Sequence, residues 1–196
     1  MAAKPKITKE TLLRHAYEIA VQDGIEAVTS RSVAKSAGCS VQPVFTHFPT
    51  MEDLRRETYR YACSCCAEEL LSNENKQDFL AALTRWMIGN AVNRPNLFSL
   101  LYLSDICNVQ SVPKSLSQSI PHQHMIRRIS HTYHLSKEDS EDVLVRSCLF
   151  LMGVGTMLSV SHTDLSEETL EELVRKTKAD FILGRQKVSP EEEYDF

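Results

Sequence analysis

Apolar residues recur at helical spacing along most of the chain, and alternating, strand-like runs are almost absent. Thr8 precedes a stripe of Leu12, Leu13, Ala16, Ile19 and Ala20, and Gly24 supplies a stop, which predicts a first helix. Thr29 caps a short helix carrying Val33, Ala34 and Ala37 and ending at Gly38; Ser40 caps a second, carrying Val41, Val44 and Phe45. Pro43 is tolerated there because the first turn has no intrahelical partner for its missing N–H. Two short helices around an Ala-Gly turn predict a helix-turn-helix. From Thr50 the helices lengthen. Thr50 and Asp53 form a capping-box signature for a helix through Tyr61 and Cys65 to Leu71, broken by residues 73–76. Residues 78–92 form an amphipathic helix, Pro95 separates it from 97–103, and 111–121 is the least regular stretch. Helices follow over 122–133, from the Ser136/Asp139 cap to about 162, and from Ser166 to a stop at Gly184. The expectation is an all-α fold of about nine helices.

Composition bounds this picture. With 42% hydrophobic and 24% charged residues in a length of 196, the chain is not disordered and fits one large or two small domains. The net charge of −4 first argues against a nucleic-acid partner. Four of the 26 carboxylates, however, are Glu191, Glu192, Glu193 and Asp195, in the last six residues. Residues 1–48 hold six cations against four carboxylates, and residues 49–190 hold 16 against 18, so the charge is polarised along the chain. The division expected is 1–49, 50–185 and an acidic tail over 186–196.

The N-terminal lysines are followed by no apolar run, so a secretory signal is not expected and the protein is placed in the cytoplasm. The most apolar stretch, 147–160, has 14 residues, short of the ~20 that span a bilayer. It is expected as a buried helix, with no membrane partner. The six cysteines lack two separated CxxC pairs, so no metal site is assigned. With no Gly-rich phosphate loop, HExxH or GxSxG, neither an enzyme nor a cofactor is expected.

The run Leu12-Leu13-x-x-Ala16-x-x-Ile19, then Gly24, Thr29, Val33-Ala34, Ala37-Gly38-Cys39-Ser40, Phe45-x-His47-Phe48 and Glu52-x-Leu54 resembles the DNA-binding domain of the TetR family over roughly residues 8–60. The longer helices behind it are similar to the family's regulatory domain in number and length. The resemblance implies a homodimeric transcription regulator, usually a repressor released from operator DNA by a small-molecule effector. It implies an N-terminal three-helix DNA-binding domain followed by a larger helical ligand-binding and dimerisation domain. The chain departs from the family pattern at Phe45, where a Tyr is usual, at Met51, where a Lys is usual, and at Pro43, where a Gly is frequent.

For such a function, Ser40, Val41, Gln42 and Val44 stand at the start of the recognition helix. The Gln42 amide suits adenine, and Val41 or Val44 suits a thymine methyl. Thr29, Ser30, Arg31 and Thr50 begin neighbouring helices and suit phosphates, Phe45 and His47 close the recognition helix, and Lys4, Lys6 and Lys9 form a candidate arm. An apolar effector pocket is expected from Phe79, Leu83, Trp86, Met87, Phe98, Tyr102 and Met125, with His122, His124 and Asp105 as polar groups. Dimerisation is expected through Leu149, Met152, Gly153, Leu170, Leu173, Val174 and Phe181 on the last two helices, the first of them apolar on most sides. Plain core is the alternative for both sets. A second reading makes Cys63, Cys65 and Cys66, with His122, His124, His131 and His134, a thiol or metal sensor. A third is an interaction protein or enzyme without DNA binding.

Overall fold

A computed structural model describes residues 7–72, 78–107, 120–160 and 167–186. Among these residues the chain is all-α, with nine helices: α1 Lys9–Asp23, α2 Ser30–Ser36, α3 Val41–His47, α4 Met51–Ser72, α5 Phe79–Asn93, α6 Pro95–Tyr102, α7 Ile120–Tyr133, α8 Lys137–Val160 and α9 Glu167–Gln186. Side-chain oxygens set most of the early starts by taking up orphan N–H groups. Thr8 accepts from Thr11 N at 3.1 Å, Thr29 from Ser32 N at 3.1 Å and Thr50 from Asp53 N at 3.0 Å. Ser32 and Asp53 return the bond, accepting from the N–H of Thr29 and Thr50. Helix α1 ends at Gly24, whose φ of 86° and ψ of 164° lie in a region essentially reserved for glycine.

Contacts divide the chain into two units: residues 1–71 with 90–108, and residues 72–89 with 109–196. Packing therefore runs past the expected boundary at residue 50, because α4 and α6 build one core with the head. That core includes Leu12, Ala16 and Ala20 of α1, Val33 and Ala34 of α2, Phe48, Leu54 of α4, and Leu97 and Phe98 of α6, all at most 2% exposed. Polar ties fix the register. His15 Nδ1 lies 2.9 Å from Ser36 Oγ, Tyr17 meets Tyr61 edge-on at 5.8 Å, and Asn96 Nδ2 donates to the Gln22 carbonyl at 2.7 Å. Arg94 pairs with Glu69 at 2.7 Å.

The second unit is organised around Asp78. Its Oδ1 accepts from the Ala81 N–H at 3.0 Å and the Tyr133 hydroxyl at 2.5 Å, and its Oδ2 from Lys178 Nζ at 2.8 Å. One carboxylate thus caps α5 and ties it to α7 and α9. The same unit buries Leu80, Ile126, Ile129, Val143, Leu144 and Leu151. Arg185 of α9 bonds Asp142 of α8 at 2.7 Å.

Two sequence expectations change here. Gly184 does not stop α9, which continues to Gln186. Residues 147–160 are not a wholly buried helix, since Leu149 and Met157 of α8 are 49% and 52% exposed. Among the described residues, α8 is the one helix long and apolar enough to cross a membrane by length and composition alone, a test that the core helix of a soluble protein also passes. The expected irregular stretch at 111–121 and the helix cap at Ser166 lie largely outside the described residues.

Burial opposes the charge on Asp78, yet Lys178, Tyr133 and the Ala81 N–H outweigh it and hold the carboxyl below its ordinary range. A carboxyl whose pKa is lower folded than unfolded adds stability above its unfolded value of ~3.9, and that stability is lost as the pH falls through the folded value. Asp78→Asn is therefore expected to cost about 1–3 kcal/mol at pH 7. The difference from the parent shrinks towards pH 2, as followed by urea denaturation across pH.

Candidate nucleic-acid interface

Helices α2 and α3 are joined by a turn only a few residues long. The Ala37 N–H bonds the Val33 carbonyl at 2.9 Å, the Cys39 N–H bonds the Ala34 carbonyl at 3.0 Å, and Gly38 sits between them at φ 64°. The turn presents the start of α3 outward. Gln42, Phe45 and Thr46 share its exposed face at spacings of three and four, Ser40 is exposed before it, and Val41 is half-buried. Beside them on α2, Arg31 and Lys35 are exposed one turn apart. Neither has an ion pair among the described residues.

Several expected contacts are redirected by packing. Val44 is 1% exposed and belongs to the core of the head, so the thymine-methyl contact assigned to it is corrected; Phe45, 49% exposed, occupies the outward position. His47 is half-buried, and its Nε2 lies 3.2 Å from the Ile7 carbonyl, fastening the chain before α1 instead of facing outward. Lys9 is the first residue of α1 and no arm: its Nζ bonds Glu57 at 2.7 Å and stands 5.6 Å from the Phe48 ring centre. The Thr50 hydroxyl donates to Asp53 at 2.7 Å while accepting from the Asp53 N–H, so it is fully engaged at a helix start that also bears Glu52. Thr29 is exposed but committed to its capping box, and Ser30 is half-buried. Lys4 and Lys6 lie outside the described residues. Thr46 and Lys35 share this exposed surface, and no sequence signal points to them because neither occupies a cap or a helix start.

Ser40 occupies the cap position of α3, with φ −76° and ψ 168°, but its side chain makes no capping hydrogen bond. The physical reason is its neighbour. In α1, α2 and α4 the cap oxygen bonds the N–H three residues on, and in α3 that residue is Pro43, which has none. The Ser40 hydroxyl is left facing outward with no bond into its own helix.

Residues 12–58 match the family model described as bacterial regulatory proteins, tetR family. Over these residues the chain is similar to the TetR family. Among solved structures, a transcriptional regulator from Rhodococcus sp. Rha1 is similar at 18% identity and TM-score 0.58, covering 93% of this chain and 100% of its own. A TetR-like transcriptional regulator from Rhodococcus sp. RHA1 is similar at 12% identity and TM-score 0.56, covering 93% and 99%. The described residues thus have a fold similar to that of these two proteins. No curated protein matches it.

Behind the TetR-type head, the expected effector residues are mostly closely packed. Phe79, Leu83, Met87 and Met125 are buried in the second unit, where Trp86 and His122 are half-buried and His124 is exposed. Burial lowers the His122 pKa, favouring neutral imidazole. Phe98, Tyr102 and Asp105 belong to the first unit: Phe98 is buried, Tyr102 packs against it at 5.0 Å, and Asp105 is exposed. Of the dimerisation set, Leu149, Gly153 and Leu173 are exposed, and Met152 and Leu170 are half-buried. Val174 is buried within the chain, and Phe181 packs edge-on against Phe150 at 6.5 Å, so these two serve the internal core instead. For the thiol reading, burial pushes Cys66 up to about 12 and raises Cys65 as well, which keeps both protonated at neutral pH in the free protein. No cluster of three or more His, Cys, Asp or Glu able to hold a metal occurs among the described residues.

The Ser40–Pro43 arrangement has a stability signature. Ser40→Ala is expected to leave stability within about 0.5 kcal/mol of the parent, but to cost ~1 kcal/mol in a Pro43→Ala background, where the N–H is restored. Denaturant titration of the four proteins of this double-mutant cycle measures the difference.

Proposed function

We propose that this chain is a cytoplasmic, homodimeric transcriptional regulator that binds duplex operator DNA through α3 and is released by a small-molecule effector held in its second unit. The observation that carries the reading is the outward face of α3, with Gln42, Phe45 and Thr46 beside the uncompensated cations Arg31 and Lys35, in a head matching the TetR family. Gln42 reads a base edge, Phe45 and Val41 supply apolar contact, and Ser40, Arg31 and Lys35 position the backbone of the duplex. Two half-sites in successive major grooves need a two-fold dimer. An exposed apolar line suits that interface: Leu149, Gly153 and Met157 recur every fourth residue along α8. Repression, rather than activation, rests on the family habit, as does release by an effector.

Footprinting on fragments of the source genome, including the region upstream of the chain's own gene, tests binding, operator symmetry and half-site spacing together. Failure to protect any duplex would overturn the reading. Gln42→Ala is expected to lose about 1–3 kcal/mol of discrimination at one base pair per half-site while leaving non-specific binding intact, as read by competition titrations. Met51→Lys restores a cation at the start of α4 and is expected to steepen the slope of log K against log salt by ~0.9 per subunit. Leu149→Arg is expected to convert the dimer to monomer in sedimentation velocity without loss of helicity, since the side chain is half in solvent already.

A further inference from the structure

The second unit carries an open groove of about 430 Å3 that the proposed function does not use. It is lined by Gln123, Ile126, Arg127, Ser130 and His131 of α7 and by Lys137, the first residue of α8. Ile126 is buried, whereas Arg127, His131 and Lys137 are exposed. No carboxylate lines the groove, and none of these three has an ion pair among the described residues. Several other cations of the unit are compensated: Arg146 and Arg185 share Asp142, and Lys178 is bound by Asp78. A basic concavity left uncompensated in a chain of net charge −4 is a seat for an anion.

The chain carries a matching anion within reach. The residues after α9 read KVSPEEEYDF, with Glu191, Glu192, Glu193 and Asp195 in a five-residue span. Their point of departure is held beside α8: Arg185 Nε and Nη2 bond Asp142 Oδ2 at 2.8 and 2.7 Å. Asp142 lies five residues from Lys137, or ~7.5 Å along the helix axis. Glu191 is five residues beyond Gln186 and can reach ~17 Å in extended form, and Asp195 reaches ~30 Å. We propose that residues 191–195 dock in this groove of their own chain, their carboxylates meeting the Arg127 guanidinium and the Lys137 ammonium. Each exposed pair is weak alone. Tethering presents the segment at a local concentration on the order of millimolar, which makes several weak pairs sufficient. A free anion or an acidic segment of another protein has to displace the tail to enter.

Carbodiimide coupling of the full-length protein tests this, because it joins carboxylates directly to lysine amines in contact, and mass spectrometry locates the products. The expected product links Lys137 to Glu191–Asp195 within one chain. It is lost in 1 M NaCl, where the Debye length falls to ~3 Å, and in Arg127→Glu, which leaves the Lys137 amine in place. Should that variant alter the circular dichroism spectrum, Arg127→Gln repeats the test without charge reversal. Coupling of the tail to Lys35 or Lys176 as readily as to Lys137, or a Lys137 product that persists in the Arg127 variants, overturns the proposal. In a mixture of 14N- and 15N-labelled protein left to exchange subunits, Lys137 products that join light to heavy chains in the proportion of random pairing overturn it as well, since the occupant is then a second copy.

Discussion

Helix α1 is the common wall of the first unit, and the helix-turn-helix head depends on what leans against it. Its inner stripe of Leu12, Ala16 and Ala20 is fully buried, and two of the three are small, which lets neighbouring helices approach closely. Each neighbour is held by different chemistry: α2 by the His15–Ser36 hydrogen bond, α4 by the Lys9–Glu57 ion pair and the Tyr17–Tyr61 contact, and α6 by the Asn96 amide on the Gln22 carbonyl. A three-helix head of fewer than 50 residues has too little interior to be stable by burial alone. Sharing α4 and α6 enlarges that interior, and it means that any shift of α6 is felt at the end of α1, where Gly24 has no conformational alternative open to a side chain.

The head was legible because its punctuation is local. Thr8, Thr29 and Thr50 bond N–H groups three residues away, and Gly24 and Gly38 adopt positive φ, so the starts and turns of α1, α2 and α4 are visible in short windows of sequence. The orientation of α3 was not. Two turns of helix bearing Val41, Val44 and Phe45 offer apolar residues on more than one side, and only packing against the rest of the head selects Val44 for the interior. His47 and Lys9 were misplaced for a related reason. Their partners, Ile7 and Glu57, lie 40 and 48 residues away, where no local pattern points.

The second unit shows the limit of hydrophobic patterning more sharply. Periodicity identifies residues that leave water, but a pocket wall and a solid core leave water equally well, so Phe79, Leu83 and Met87 could be named without their role being settled. The apolar character of α8 was plain, while the division of its surface between core and exposed stripe depends on where α7 and α9 lie against it. The Asp78 node, joining residues 78, 133 and 178, has no sequence signature at all.

Pro43 has a consequence for the kinetics of encounter. A recognition helix whose cap residue is bonded internally must break that bond before the hydroxyl can serve a phosphate, and the rearrangement adds to the barrier. Here the pyrrolidine ring fixes φ in the first turn covalently, and the Ser40 hydroxyl is held by no helix N–H. The first turn is thus ordered without using the hydroxyl that the proposed function assigns to the duplex, and on that reading docking proceeds with that part of the surface already in its binding state.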